Sequence, residues 1–168
     1  MAEDMVKHVW ISVKNAIGYV LARDVISEKD IPPYDVAHFD GYAIRSRDVS
    51  LASRDTPHRL KVVGEMGLLD GPDKLFLSKG EAVKIVTGAP LPKGSDAIAP
   101  KEQVREEDGF ITLVRPMPKG YHVIPKGSDI RKGELVLKRG DRLSGKEIKV
   151  LMDLGIERVK VFKRPKVY

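Results

Sequence analysis

The chain has 168 residues, a formal net charge of +6, 42% hydrophobic residues and no cysteine. Its length suits one compact domain or two small ones, and the lack of cysteine excludes disulfides, thiolate metal sites and a cysteine nucleophile. No stretch approaches the roughly 20 apolar residues of a membrane helix. We therefore expect a cytoplasmic protein without a membrane partner.

The first predicted element is a helix over Ser12–Arg23. Its apolar residues recur at helical spacing and Ser12 is a suitable N-cap, whereas Gly18 is its weakest position because glycine disfavours helix interiors. The apolar face consists of Val13, Ala16, Ile17, Val20 and Leu21.

Short strands between glycine and proline turns are predicted for the middle of the chain. Closely spaced strands of this kind favour a small barrel or sandwich. The predicted strands are Leu60–Val63, Ala82–Val86, Asp96–Ala99, Phe110–Val114, Tyr121–Ile124 and Leu135–Leu137.

A second helix is predicted to begin after Ser144, which forms a capping box with Glu147. Its apolar stripe is Ile148, Leu151 and Met152, and Gly155 is its stop signal. A strand over Val159–Phe162 follows, and Pro165 ends it.

The two helices flank the strand-rich middle, which predicts an α+β fold with a discontinuous first unit. Residues 1–31 and 128–168 are predicted to form a small α/β unit. Residues 32–127 are predicted to form an inserted β-barrel-like unit. The hinge candidates are Ile31-Pro32-Pro33 and Pro125-Lys126-Gly127, because proline restricts the chain at both junctions.

The segment around Asp40-Gly41 combines a strong turn signal with a carboxylate. The turn chemistry predicts a hairpin tip. The functional alternative is that Asp40 presents its carboxylate to a cation or a reacting group, with His38 nearby to assist. No further His or Cys stands at metal-ligand spacing.

Two further loops carry candidate groups. In the first, the Thr87 hydroxyl and backbone N–H groups near Gly88 are suited to an oxyanion, although a proline-stiffened turn explains the same residues. In the second, Asp129 is a possible second carboxylate in a glycine-bracketed turn. Glu102 is expected to be exposed, with a possible place in a site. From residue types alone the function stays open.

Several segments together resemble the molybdopterin molybdotransferase family, of the MoeA and gephyrin E-domain type. Pro32–Ala43 resembles its P-x-F-D-x-S-A-M-D-G-Y-A signature, and Thr87–Ala97 resembles its T-G-A-P-x-P-x-G-x-D-A segment. Gly127–Ile130 is similar to its G-E-D-I turn, and Arg164–Val167 also follows in order. The match runs from about Val13 to the end. It corresponds to the amino-terminal region, domains I and II, without the pterin-binding domain.

The resemblance implies a role in molybdenum cofactor biosynthesis. Family members form dimers and insert molybdate into adenylylated molybdopterin with a divalent metal, releasing AMP. By this resemblance, molybdopterin and molybdate are substrates, and Mg²⁺ is the expected cofactor. A homodimer and a separate pterin-binding domain are the expected partners. The isolated chain is expected to be inactive.

The resemblance also supplies the predicted site residues. Catalytic roles fall on Asp40, Thr87 and Asp129, with Asp40 and Asp129 as the metal ligands. Cofactor-binding roles fall on the residues that accompany them in the family motifs, which are Gly41, Gly88 and Glu102.

The sequence departs from the family pattern at three places. Ala37-His38-Phe39 replaces S-A-M, His122-Val123-Ile124 replaces N-I-R, and Ser128 replaces the glutamate of G-E-D-I. These changes leave a second hypothesis open, in which the chain is a non-catalytic dimeric scaffold or regulatory paralogue of the same fold.

Nucleic-acid binding is the least favoured function. It rests on the net charge of +6 alone, and nucleic acid is an unlikely partner because a binding surface would cluster its Lys and Arg and alternate them with aromatic rings. Acidic residues instead interrupt the basic ones, which predicts a mixed-charge surface. The interrupting acids are Glu81, Glu102, Glu106, Glu107, Asp108 and Glu134.

Overall fold

A computed structural model describes residues 7–163. The chain divides into two compact units: a discontinuous unit built from the described residues up to Ile31 and those from Asp129 onward, and an inserted unit over Pro32–Ser128. The sequence placed the second junction one residue earlier, before Ser128. No helix in the described part of the chain is long and apolar enough to cross a membrane.

The described residues form short strands and one α-helix, joined by turns and single-turn 3₁₀ segments. In chain order the elements are β1 His8–Ser12, β2 Val25–Ile26, β3 Val36–Ala37, β4 Gly41–Ile44, β5 His58–Met66, β6 Glu81–Ile85, β7 Ala97–Pro100, β8 Arg105–Glu107, β9 Phe110–Leu113, β10 Val123–Ile124, β11 Leu135–Leu137, α1 Gly145–Asp153 and β12 Arg158–Phe162.

The inserted unit is built on a curled, half-barrel sheet of six strands in the order β7-β4-β6-β5-β9-β8. β5 and β6 run parallel, and the other neighbours are antiparallel. Every residue of β4 and of β7 is buried. Such continuous apolar runs are typical of strands covered on both faces, and the α+β, barrel-like fold predicted from the sequence is confirmed.

Alternate residues of the central strands fill two separate cores. Tyr42 and Ile44 of β4 pack into one cluster with Leu60, Ile111 and Leu113. The opposite face forms a second cluster. Its members are Ala37, Ala43, Met66, Leu77, Val83, Ile85, Ala89, Leu91 and Ile98. Both faces of the sheet are therefore packed against apolar side chains, and this packing fixes the positions of the loops at the strand ends.

The discontinuous unit pairs β1 with β12 and β2 with β11, both antiparallel. The helix α1 begins with the predicted capping box: the Ser144 N–H donates to Glu147 Oε2 at 2.9 Å, and the Lys146 N–H donates to Ser144 Oγ at 3.3 Å. Ile148 and Leu151 of this helix pack against Val13, Leu21 and Val161, among others. The predicted helix start is thus confirmed.

The predicted helix over Ser12–Arg23 is wrong. Only a 3₁₀ turn over Val13–Asn15 forms, and Gly18 adopts a positive φ of 80°, outside the helical region. Two backbone N–H groups of the predicted helix bond to a distant segment: Gly18 donates to Leu143 O at 2.7 Å and Leu21 donates to Asp141 O at 2.9 Å. Tertiary pairing therefore overrides the helical spacing of the apolar residues.

The hairpin tip predicted at Asp40-Gly41 is also wrong. β3 pairs with β10, whereas β4 pairs with β6 and β7, so the two strands that flank the turn do not pair with each other. Gly41 is instead the first residue of β4, which lies between β7 and β6 in the sheet. All seven predicted strands correspond to observed ones with small shifts of their ends, whereas β1 to β4 and β8 were missed. Pro165 lies outside the described residues.

Candidate functional site

The start of β4 and the ends of β6 and β7 lie side by side in the sheet of the inserted unit. Gly41 pairs with Ile85 of β6 and with Pro100 of β7. Because β4 is antiparallel to both neighbours, its start lies beside their ends. The residue before β4 and the loops after β6 and β7 are therefore neighbours. These positions hold Asp40, Thr87 and Lys101, which we call the acid–hydroxyl site.

Asp40 is the hub of this site. Its Oδ1 accepts the Thr87 backbone N–H at 2.9 Å and the Thr87 hydroxyl at 2.7 Å. Its Oδ2 lies 3.6 Å from Lys101 Nζ, and its main-chain oxygen accepts the Lys101 N–H at 3.2 Å. The structure thus joins two of the predicted catalytic residues, Asp40 and Thr87, through two hydrogen bonds.

The contacts of Asp40 favour its ionised form. The Thr87 N–H, the Thr87 hydroxyl and then the Lys101 ammonium hold the pKa of the Asp40 carboxyl below its ordinary value, against a smaller opposing effect of desolvation. About half of the side chain is exposed. The site therefore presents a solvent-accessible negative charge at neutral pH, with a lysine cation beside it.

Position 41 has no room for a side chain, so it requires glycine. It does not adopt a positive φ, but a Cβ at this position would lie 2.2 Å from the Ala99 main-chain oxygen and 2.9 Å from Pro100 Cα. Real Cβ contacts of that length are essentially absent. Glycine therefore lets β4 approach β7 closely, and this approach brings Asp40 to Lys101.

The loop after β6 is closed by its own backbone bonds. Gly88 has a φ of 83°, and its N–H donates to Ala37 O at 2.8 Å. The next amide, of Ala89, donates to Val86 O at 3.0 Å. Since the Thr87 N–H is held by Asp40, these three amides are all engaged within the fold. Lys101 is then the group of this site that attracts an anion.

The other predicted site residues are Glu102 and Asp129. Glu102 is exposed on the 3₁₀ turn Lys101–Gln103, directly after β7. Asp129 is exposed and belongs to the discontinuous unit, where its N–H donates to Ile31 O at 2.9 Å. Neither side chain has a hydrogen bond or ion pair among residues 7–163, so both carboxylates are available to a ligand.

The described residues do not by themselves form a metal cage. Among residues 7–163, no group of three or more His, Cys, Asp or Glu side chains is placed to hold an ion. Mg²⁺ commonly takes only one or two protein carboxylates and completes its shell with water and phosphate oxygens. The free oxygen of Asp40 suits that limited role, with Lys101 as a competitor for it.

A cluster of rings lies directly before Asp40 in sequence. The Phe39 ring centroid is 4.7 Å from that of His38 and 4.6 Å from that of His122, and the tilted Tyr121 ring is 4.0 Å from that of His122. The His38 N–H donates to His122 O at 2.9 Å. Two of the three places where the sequence departs from the family pattern are thus in contact, and the His38 ring contacts that of Phe39.

Lys101 was missed as a site residue by sequence reasoning. Nothing in the local pattern marks it, because its proximity to Asp40 depends on the pairing of β4 with β7. The one available signal was its position next to Glu102, two residues after the end of the predicted strand Asp96–Ala99.

The chain matches the family model of the MoeA N-terminal region, domains I and II, over residues 2–155. The chain belongs to this family. Curated relatives agree with this: a molybdopterin molybdenumtransferase of Staphylococcus aureus strain Mu50 is 35% identical over 159 residues. A Staphylococcus epidermidis molybdopterin molybdenumtransferase is 32% identical over 162 residues.

Solved structures of the MoeA family share the fold. A crystal structure of a molybdopterin biosynthesis MoeA protein from Pyrococcus horikoshii has a TM-score of 0.90 and 41% identity over 95% of this chain. A second one, from strain OT3, has a TM-score of 0.86 and 37% identity over 92% of this chain. The sequence identities of 41% and 37% accompany the shared fold in these two cases.

The chain spans about two fifths of the length of these MoeA relatives. It covers 95% of itself but 38% of the Staphylococcus aureus protein, and 40% and 41% of the two archaeal chains. The match therefore concerns the amino-terminal region of the family.

Replacing Thr87 by valine is expected to raise the pKa of Asp40 toward its ordinary value. Valine removes the hydroxyl but keeps the backbone N–H, which is the larger cause of the lowered pKa, so the rise will be partial. An NMR pH titration of the side-chain carboxyl carbons measures this. Asp70 is an internal control, because Lys74 and Gly67 lower its pKa without Thr87.

The sign of the linked stability change follows from the direction of the pKa shift. A lowered pKa in the folded state stabilises the fold above the unfolded-state pKa, and that contribution is lost as pH falls through the lowered pKa. Thr87→Val should therefore flatten the acid limb of the stability curve. An unchanged Asp40 pKa in the variant would mean that the 2.7 Å hydroxyl contact is absent in solution.

Proposed function

We propose that this MoeA-family chain is a molybdopterin molybdotransferase-related module that works in molybdenum cofactor biosynthesis in the cytoplasm. Its role would be to assist the insertion of molybdate into adenylylated molybdopterin. The observation that carries the proposal is the acid–hydroxyl site, in which Asp40 accepts two hydrogen bonds from Thr87. Both residues stand in segments that resemble the family signatures.

The chemistry of the site is compatible with an oxyanion-transfer reaction. Lys101 supplies a positive charge that attracts phosphate or molybdate oxygens, and the ionised Asp40 supplies a negative charge that can hold a cation. The Thr87 hydroxyl donates to Asp40, so its oxygen lone pairs are the part that it can offer to a ligand. Together these groups orient an anionic substrate beside a fixed carboxylate.

Mg²⁺ is included in the proposal as an expected cofactor. It would supply positive charge against phosphate and molybdate oxygens. Asp40 and Asp129 are each a proposed ligand. The Asp40 Oδ2 has only the ion pair with Lys101 at 3.6 Å, and the exposed Asp129 carboxylate has no partner among the described residues. The prediction is that Mg²⁺ binding weakens in Asp129→Asn as well as in Asp40→Asn.

A second polypeptide or domain is required by the proposal. The chain spans 38% of the length of its staphylococcal relatives, and the family's pterin-binding domain belongs to the part that it does not match. We propose a homodimer of this chain that acts with a separate pterin-binding domain and is inactive alone.

The alternative function is a non-catalytic dimeric scaffold or regulatory paralogue. The observation in its favour is that Asp40 and Thr87 satisfy each other between two adjacent loops, as a purely structural contact would. The replaced arginine and glutamate of the family pattern point the same way. In this reading Asp40 stabilises the loop and contacts no substrate.

One assay separates the two functions. AMP release from adenylylated molybdopterin is measured with molybdate and Mg²⁺, first with the chain alone and then with a pterin-binding domain added. Release that requires both proteins supports the catalytic module. No release in either mixture, with a folded dimer confirmed by light scattering, supports the scaffold.

A further inference from the structure

A second polar region lies at the opposite end of the strands that carry the acid–hydroxyl site. Asp40 precedes β4 and Arg45 follows it, while Asp96 precedes β7 and Lys101 follows it. Four strand residues span about 13 Å. The region around Arg45 and Asp96 is therefore separate from Asp40, Thr87 and Lys101, although the same strands hold both.

This region encloses an open cavity of about 550 Å³ within the inserted unit. Three cationic side chains line it, those of Arg45, Arg47 and Lys119, against one carboxylate, Asp96. Asp96 is already engaged: its oxygens accept the Ser46 N–H at 2.7 Å and the Ser46 hydroxyl at 2.9 Å. The formal charge of the lining is therefore positive by two.

The positive charges that line the cavity have few carboxylate partners. Arg45 Nε lies 3.7 Å from an Asp48 oxygen that also accepts the Gly80 N–H at 2.8 Å. Arg47 and Lys119 are exposed, and their side chains form no hydrogen bond or ion pair within residues 7–163. Cations that converge on a cavity without internal partners are suited to an anionic ligand.

One wall of the cavity is apolar and held firmly. Phe76 is 70% exposed and stands beside the fully buried Leu77. The Leu77 N–H donates to Lys93 O at 2.8 Å, and Gly94 packs so closely that a Cβ there would lie 2.5 Å from Leu77 O. The Phe76 ring therefore offers an open aromatic face from a fixed position.

We propose that this cavity binds a phosphomonoester of a small ring compound. Arg47, Lys119 and Arg45 would hold the phosphate, because charged donors bind phosphate oxygens more strongly than neutral ones do. The ring would rest against Phe76. A volume of about 550 Å³ exceeds the needs of a bare oxyanion and matches the size of small-molecule sites.

The site is independent of the proposed molybdotransferase function. Its lining contains neither Asp40 nor Thr87. If no ligand binds in this cavity, the expected result of the AMP-release assay does not change. If no AMP is released in that assay, the expected binding in this cavity does not change.

The test is a titration of the whole ¹⁵N-labelled chain with AMP, with adenosine and with inorganic phosphate, followed by amide NMR at constant ionic strength. AMP is expected to shift the amides of Ser46, Arg47, Gly94 and Lys119 and to saturate. Phosphate should shift the same amides with lower affinity, and adenosine should leave them unchanged. Arg47→Gln combined with Lys119→Gln should weaken AMP binding at least about tenfold.

The matched control removes the same charge elsewhere in the inserted unit. Arg54→Gln combined with Lys61→Gln changes two exposed cations outside the cavity and should leave the affinity for AMP within about twofold. Equal losses in the two double variants would overturn the proposal, because they would show attraction by net charge alone. AMP binding that leaves the amides of Ser46, Arg47, Gly94 and Lys119 unshifted, or phosphate binding as tightly as AMP, would also overturn it.

Discussion

Asp40→Asn is expected to lower partner-dependent AMP release at least about 100-fold, within the range for loss of a positioned catalytic group. Asparagine keeps an oxygen that accepts the Thr87 N–H and hydroxyl, which lie 2.9 Å and 2.7 Å from Asp40 Oδ1. The loop should therefore stay in place. What the variant loses is the negative charge beside Lys101. The measurement is the initial rate of AMP release with the pterin-binding domain, molybdate and Mg²⁺ in excess.

Asp70→Asn is a matched control for this substitution. Asp70 also lies in the inserted unit and also accepts a backbone N–H and a lysine, from Gly67 at 2.7 Å and from Lys74 at 2.8 Å. Its pKa is lowered as well, so the two aspartates have similar electrostatic surroundings. AMP release by Asp70→Asn should stay close to that of the unchanged chain.

The outcome decides between the two proposed functions. A selective loss in Asp40→Asn, at an unchanged thermal unfolding midpoint, supports Asp40 as a group that contacts substrate or metal. Equal rates in Asp40→Asn and in the unchanged chain would assign the Thr87–Asp40 contact to a structural brace. The catalytic role of Asp40 would then be wrong.

Gly41→Ala is expected to destabilise the inserted unit by about 3 kcal/mol or more, the upper part of the range for overpacking a core. The added methyl group would lie 2.2 Å from Ala99 O and 3.0 Å from its carbonyl carbon. Both are backbone atoms of the buried strand β7, which cannot move aside as a flexible side chain can. For a chain of this size the unfolding midpoint should fall by roughly 6–12 °C.

Gly71→Ala provides the comparison for this prediction. A Cβ at Gly71 meets no atom within 4 Å, and this residue does not have a positive φ. Its free energy of unfolding should change by less than about 0.5 kcal/mol. A small effect of Gly41→Ala in the same urea titration would mean that β4 and β7 separate easily in solution, and the geometry of the acid–hydroxyl site would then be less fixed than described.

Local patterns in the sequence identified most of the strands but not β4, which begins directly after Asp40. Apolar runs bounded by glycine and proline located β5, β6, β7 and β9. β4 was missed because its four residues are short for a strand signal and because the preceding Asp40-Gly41 pair resembles a hairpin turn. Glycine is needed at position 41 because the backbone of Ala99 lies close to it. The residues next to Gly41 in the sequence do not indicate this contact.

The helical spacing over Ser12–Arg23 gave an incorrect prediction for a related reason. Helix propensity and apolar periodicity act over a few residues, but the amides of Gly18 and Leu21 gain partners more than 100 positions away, at Leu143 and Asp141. The capping box at Ser144 and Glu147 needs only neighbours in sequence, and it formed as predicted.

Ordered motifs in the sequence were enough to indicate the family and the residue types of the candidate site. The two-part organisation of the elements was also predicted from the sequence, because apolar runs and turn residues are local properties. Three features are visible only in the folded chain: Asp40 bonds to Thr87, 47 positions away, Lys101 completes the site, and Arg45, Arg47 and Lys119 line one cavity. These contacts depend on strand register, which arises from packing on both faces of the sheet and is not contained in any one segment.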